Sequence, residues 1–453
     1  MLLVSLPACA PLTEHLQHGD RPPGMPRPPS TTRAVPTAIA PLPGRLDDRP
    51  VFNSNSPEII TEPGITLSTM RPLPGAPREA FLSHPVSGLF TVFSHHIAKD
   101  ARPGDRLLVL GLLAHNRTNR MLSISLLAGS SYLSQPEAPF VRLPSLVAAP
   151  TGGVFAGPGD RVAGDLLRGD SGLTRQSWRL APGSSQLLCA QPIPTDVAIP
   201  PPINGRTTQL RLWSSGATHL SEVALFAAKR PDGSFETPTL ADFEAVLRRG
   251  QRAGPLEPPA TPPQASPSTG AFRYGRVAGV TQGDAWRGDL TRPVARLAAG
   301  ERIGFPIAAV LRNRLGTEQV QSAPLRVRYP DSAYAGHGNY GVLYRLSLRL
   351  TNPDATPRAY TVRLSQPLRV EPGSTATQTI YLEPPEPAVT FRGLVRVDEA
   401  GATRYTHLVL RRGQQAAPFE TIAVAGGASR KLVISLIYPA DATPPQLLTI
   451  ERI

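Results

Sequence analysis

The sequence predicts a mainly β protein: two antiparallel β-sandwich-like domains, with one short helix before a Pro-rich linker. Three observations predict it. The 453 residues include 52 Pro and 39 Gly, a composition that suits many short strands better than long helices. Apolar and polar residues alternate over long stretches, the period of a half-buried strand. The chain also exceeds the roughly 250 residues at which a single core stops growing, while 40% hydrophobic residues suffice for packed cores.

The first element is "MLLVSLPACAPL", in which a short apolar run, Leu6, Pro7 and Ala8 precede Cys9. This resembles the end of a bacterial lipoprotein signal, whose Cys becomes the lipidated first residue. The run is shorter than a normal signal core and no Lys or Arg precedes it. A start codon chosen too far downstream accounts for both. An ordinary secretory signal cleaved nearby and a cytosolic tail with an idle thiol are the alternatives. Residues 10–50 hold ten prolines and few bulky apolar side chains, which predicts a disordered stalk over 1–50. No later stretch reaches the roughly 18 apolar residues of a membrane-spanning helix. The remaining cysteine, Cys189, reads as a small apolar strand residue, so neither a disulfide framework nor a zinc site is expected.

The first β-rich domain is expected over 51–250 and the second over 271–453. Between them "QRAGPLEPPATPPQASPSTG" at 251–270 carries six prolines and reads as a stiff linker. Just before it, Leu240, Phe243 and Leu247 share one face of a helix over 240–249. Thr239 and Asp242 form its capping box and Gly250 its stop. In the second half, Val342, Tyr344, Leu346, Leu348 and Leu350 alternate with Arg345, Ser347 and Arg349. Asn352, Pro353 and Asp354 then turn the chain, and Tyr360, Val362 and Leu364 resume the apolar face, which reads as a hairpin. A cousin in the first half runs from 107–114 through Asn116 to Leu122, Ile124 and Leu126. Pro-Gly-Ser corners at 180–188 and 370–382 add to a weak internal repeat.

The formal charge is +13, and Arg supplies nearly all of it, since Lys99, Lys229 and Lys431 are the lysines. The basic residues fall singly or in pairs with no aromatic interleaving, so nucleic acid is not an expected partner. A diffuse positive field favours anionic polymers or headgroups.

Residues 331–341, "DSAYAGHGNYG", place Gly336, Gly338 and Gly341 in the lettering of a dinucleotide turn. Such a turn must open a helix whose free N–H groups hold the pyrophosphate. Here the glycines run into a period-two strand, so no cofactor is expected. What remains is a loop carrying Tyr329, Asp331, Tyr334, His337, Asn339 and Tyr340, side chains suited to stacking on and hydrogen-bonding sugar rings. The competing reading is that the tyrosines cover the sandwich end and the polar groups satisfy the turn. His95 and His96 are adjacent and point to opposite strand faces, so no shared metal is expected; a solvated His with a packed neighbour is the ordinary arrangement. "GPGDRVAGDLLRGD" spaces Asp160, Asp165 and Asp170 by five, the wrong period for a calcium loop, and reads as turn and cap chemistry.

Several stretches together resemble a cyanobacterial family catalogued as domain of unknown function 3370. They are "VFNSNSPEII" with "GITLST", "FAGPGDRVAGDLLRG", "NGRTTQLRLWSSG", "GRVAGVTQGDAW", "QSAPLRVRYPDSAYAGHGNYGV" and "YPADATPPQLLTI", spread over 51–453. The resemblance implies an exported or envelope-associated protein and brings no catalytic residues. The expectation is therefore a non-enzymatic exported protein of the periplasm or outer cell envelope, lipid-anchored through Cys9. It would bind or organise surface polysaccharide or a protein partner. The alternative is an envelope glycan hydrolase with carboxylates such as Asp331 or Glu58 paired between the domains.

Overall fold

Alternation places Tyr344, Leu346 and Leu348 on one side of a strand, and that side is fully buried while Arg345 and Arg349 are exposed. The computed structural model describes residues 29–196, 202–265, 272–373 and 377–453. It is 49% strand and 7% helix, so strand pairing decides the architecture. Cys9 lies outside the described residues.

In the second half a seven-stranded sheet faces a five-stranded one. The first contains Leu343–Thr351, Ser429–Ile437, Val389–Glu399 and Ala402–Arg411; the second contains Arg302–Ile307, Gln446–Arg452, Arg358–Ser365 and Glu420–Val424. Their inner faces share one core, with Tyr344, Leu346, Leu348, Phe391, Val397 and Ile434 on one side and Phe305, Val362, Ile422 and Ile450 on the other. The first half is also layered. Its 24-residue strand Ile203–Phe226 shifts register between Ser214 and Thr218. Before the shift it pairs with Val86–Lys99 and Leu122–Leu133, and after it with Leu107–His115.

Both expected hairpins prove to be arches that cross from one layer to the other. Leu343–Thr351 pairs with Ser429–Ile437 while Arg358–Ser365 pairs with Glu420–Val424 and Gln446–Arg452. Leu107–His115 pairs with Ser185–Pro194 while Leu122–Leu133 pairs with Gln176–Leu180. Each arch is held by a fully buried Asn. Asn352 Nδ2 donates to Thr356 O at 2.8 Å and Val424 O at 2.9 Å, and its Oδ1 accepts from Asp354 N at 3.1 Å. Asn116 does the same with Arg120 O at 2.6 Å, Leu180 O at 3.0 Å and Thr118 N at 2.9 Å. The repeat is thus real in topology: its partners are 176–194, which includes the first Pro-Gly-Ser corner, and 420–437, which takes the place expected for the second corner at 370–382. Replacing either Asn by Ala leaves buried carbonyls without donors. Asn116→Ala and Asn352→Ala are each expected to cost about 1–3 kcal/mol, read from urea unfolding midpoints.

Two expected boundaries dissolve in the pairing. Part of the supposed stalk is woven into the second half: Thr31–Pro36 pairs with Gln378–Glu383, Ala38–Ile39 with Arg302–Ile307, and Arg45–Leu46 with Ala285–Asp289. Leu42 reaches the main core. Pro36 ends an edge strand, Pro41 and Pro43 lie between strands and Pro50 opens one, places where a missing N–H costs little. The linker is also docked along its described part, with Ala253 N donating to Ile65 O at 3.0 Å and Thr61 N to Gly254 O at 2.9 Å. Residues 266–270 lie outside the described residues. Pro50–Ser54 pairs with Val86–Lys99 on one side and Ala278–Gln282 on the other, so one sheet holds strands of both halves.

The helix Leu240–Arg249 forms where expected, with Thr239 N donating to Asp242 Oδ2 at 2.7 Å. Its Phe243, Val246 and Leu247 pack on Ile65, Val109 and Val223, and the Phe243 ring fills the space over Gly111, where a Cβ would lie 2.6 Å away. A second helix, Pro158–Arg168, occupies the Gly-Asp stretch read as turns. Pro158 at its start and the left-handed Gly169 after its end were its signals. It wedges Val162, Leu166 and Leu167 against Leu394 and Ile437 of the seven-stranded sheet.

Candidate functional site

The glycine loop follows its sequence logic. Ala335–Gly336 pairs briefly with Ala323–Pro324, the chain turns through Asn339 at φ 50° and Gly341 at φ 80°, and a strand follows from Leu343. A Cβ on Gly338 would stand 2.4 Å from the Tyr340 ring, and one on Gly341 3.1 Å from Phe93. The glycines therefore serve close packing.

This loop forms one wall of a partly enclosed cleft of about 70 Å³ at the seam between the halves. Asn53, Asn55, Thr91, Phe93 and Gln209 come from strands of the first half and its neighbours. Tyr274, Arg276 and Asp284 come from 274–284, and Thr443 and Pro444 from the turn near the C-terminus. Stretches carrying the sequence resemblance thus meet here from five distant places in the chain.

Of the six loop residues singled out, His337, Asn339 and Tyr340 line the cleft. His337 packs edge-on against Tyr274, ring centroids 4.6 Å apart. Burial pushes its pKa down to about 4, so it is neutral at pH 7. Asn339 is committed to the protein through Gln321 O at 2.7 Å, Tyr344 Oη at 2.9 Å and Ala323 N at 2.9 Å. Tyr340 stacks between Phe93 and Tyr438 and donates to Ala442 O at 3.0 Å. Tyr329 is fully buried, donating to Ala80 O at 2.8 Å and accepting from Ser68 N at 3.0 Å, so neither ring face is open to a ligand. Asp331 pairs with Arg252 at 2.9 Å, and Arg328 covers the Tyr334 ring at 3.9 Å.

The residues that sequence reasoning missed are Asn53 and Asn55. Both are at least nine-tenths buried, and neither Oδ1 has a hydrogen-bond partner among the described residues. His337 Nδ1 is likewise unpartnered. Buried acceptors without donors are uncommon, and each costs free energy until something donates to it. Among the described lining residues Asp284 is the one carboxylate. It accepts from Arg49 at 3.1 and 3.0 Å and from Thr91 at 2.7 Å. Of the two carboxylates anticipated, Asp331 is held by Arg252 and Glu58 by Arg276, which also pairs with Glu257 at 2.9 Å.

The histidine pair is buried on both sides. His95 is not solvated: its Nδ1 meets Thr207 Oγ1 at 2.8 Å, and burial first, then the charges of His96 and Arg276, push its pKa down to about 3. His96 Nδ1 donates to Pro57 O at 2.8 Å, and Nε2 faces Glu222 Oε2 at 3.1 Å and Ser54 Oγ at 3.0 Å. Ser54 is itself fully buried, which leaves this Ser-His-Glu cluster no access to substrate. Among the described residues no group of three or more His, Cys, Asp or Glu side chains is placed to hold a metal. Asp160 pairs with His407 at 2.6 Å, and Asp165 accepts from Tyr132 at 2.7 Å and Ser130 at 3.0 Å. Cys189 lies in a strand, its thiol pushed up to about 12 by burial and by Glu222.

No curated protein matches the chain. Among solved structures it aligns with a chain from the Macrobrachium rosenbergii nodavirus, covering 100% of this chain and 97% of that one at 10% identity. The TM-score of 0.11 is too low for that likeness to carry any argument. A family model matches residues 37–452, nearly the whole body of interleaved sheets and every segment of the cleft, and the chain belongs to that family, described as Protein of unknown function (DUF3370).

Proposed function

We propose that the protein is a non-enzymatic, exported component of the cyanobacterial cell envelope that binds surface polysaccharide through the cleft at the seam. The observation that carries this reading is the pair of buried, unpartnered acceptors, Asn53 Oδ1 and Asn55 Oδ1. They call for a ligand rich in hydroxyl or amide N–H donors. Phe93, Tyr274 and the edge of Tyr340 give the cleft an apolar aromatic lining against which the carbon skeleton of a sugar can pack. On the same sheet face, Trp213 is 38% exposed beside Leu89, its direct partner across the strands. Binding is favoured over hydrolysis because general acid–base cleavage uses two carboxyl groups, and Asp284 is already held by Arg49 and Thr91.

Oligosaccharides released from envelope polysaccharide, titrated calorimetrically, test the proposal. Asn53→Ala and Asn55→Ala are each expected to weaken binding about tenfold. The unfolding midpoint should stay close to native, because no group among the described residues bonds to those oxygens. Loss of stability without loss of affinity, or no binding at millimolar concentration, would sink the cleft as a glycan site.

A further inference from the structure

The outer face of the seven-stranded sheet carries a second feature, independent of the cleft. Arg45 is paired directly with Arg287, and Arg287 with Arg345. Arg345 is paired with Ser435, and Ser435 with Arg396. Directly paired residues project from the same side of a sheet. That side is outward, because their neighbours Leu46, Trp286, Tyr344 and Leu436 turn to the core. Four arginines and one serine therefore form a straight row across five strands. Adjacent strands lie about 4.8 Å apart, so the row is about 19 Å long.

Arg45, Arg287 and Arg345 are exposed, and none of the three has a carboxylate within ion-pair distance among the described residues. Arg349 and Lys431, directly paired two rows further along, are exposed as well, and the row between carries the exposed Asp289 opposite Ser347. Asp398 is occupied by Arg396, two bonds of 2.9 Å, and by Thr403 at 2.7 Å. Ser435 is buried in the middle of the row, and its Oγ has no hydrogen-bond partner among the described residues. Like charges about 4.8 Å apart repel one another; Asp398, which feels the charges of Arg396 and Arg345, offsets part of that repulsion, and a bound anion would relieve the rest. The helix Pro158–Arg168 covers the sheet on one side of the row, with Arg396 donating to Leu167 O at 3.2 Å, and gives the row a raised border.

We infer that this row is a binding track for a linear acidic polysaccharide, one anionic sugar after another meeting successive guanidinium groups. A straight line of charges suits an extended polymer whose anions recur at short intervals. A lipid surface would also be met by apolar side chains, and none of the exposed large hydrophobic residues lies in this sheet. Single-stranded nucleic acid would use a ladder of aromatic platforms, and the row offers one ring, Tyr405 beside Arg396.

The test is retention of the full chain on alginate, a polyuronate, against neutral dextran, vesicles containing phosphatidylglycerol, and single-stranded DNA. The triple variant Arg45→Gln, Arg287→Gln, Arg345→Gln is expected to lose about tenfold in alginate affinity at low salt and to show a shallower salt dependence. A control replacing Arg78, Arg102 and Arg230 with Gln removes the same charge elsewhere and should keep alginate affinity. Equal losses in the triple variant and the control would reduce the effect to net charge and overturn the inference. Tighter binding to vesicles or DNA than to alginate would overturn it as well.

Discussion

Lowering the pH from 7 to 5 is expected to remove about 2 kcal/mol of stability through each of His95 and His115. Burial, the main cause in both, pushes their pKa values down to about 3. The folded chain thus excludes a proton that the unfolded chain takes up near pH 6.5. The unfolded state binds more protons between about pH 6.5 and 3, so stability is full above that window and falls as pH drops through it. Asp441 works in the opposite direction. Burial raises its pKa to about 7 against the lowering charge of Arg392, with Asp160 adding to the rise. It therefore returns about 2 kcal/mol over the same interval. The double variant His95→Gln, His115→Gln should lose about 4 kcal/mol less than the native protein between pH 7 and 5. Urea midpoints across that range measure it, and a slope equal to the native one would show that these imidazoles do not set the acid response.

Glu222→Ala is the most damaging single substitution expected, at about 3–5 kcal/mol. Glu222 is 2% exposed and His96 fully buried. Pro57 O can only accept, so His96 Nδ1 carries the proton there, and Nε2 is left facing Glu222 Oε2. Thr66 donates to the same carboxylate oxygen at 3.0 Å. Burial alone would raise the Glu222 pKa, but the hydrogen bond and charge of His96 bring it below the ordinary value. Removing the carboxylate takes the charged partner from a buried imidazole and leaves His96 Nε2 only Ser54 Oγ, and Thr66 Oγ1 only the main-chain carbonyl of residue 222. Glu222→Gln keeps the shape and a hydrogen-bonding partner and should cost clearly less; equal losses for Ala and Gln in guanidinium unfolding would point to packing rather than polarity.

Alternation told which side of each strand is buried, and Tyr344, Leu346, Leu348, Val362 and Leu364 all face the core as their spacing requires. It could not tell which strand lies next door. "TNPDATP" fits a hairpin and an arch equally well by turn chemistry, and the deciding contact is Asn352 Nδ2 on Val424 O, 72 residues further on. The cleft was half legible for the same reason. The loop with His337 and Tyr340 stands out by composition, whereas nothing in "NSNSP" singles out Asn53 and Asn55. Their significance lies in having no donor nearby, a property of the assembled sheets. The arginine row is invisible in one dimension, since Arg45, Arg287 and Arg345 become neighbours only through strand register.

The pairing of Thr31–Pro36 with Gln378–Glu383 bears on the order of assembly. A nascent chain holds this early strand unmatched until most of its length has been made, because the partner emerges so late. Contacts so distant along the chain form slowly, and an open strand edge invites pairing with other molecules in the meantime. The clasp closes late in synthesis, and until then the protein depends on being kept apart from its own copies.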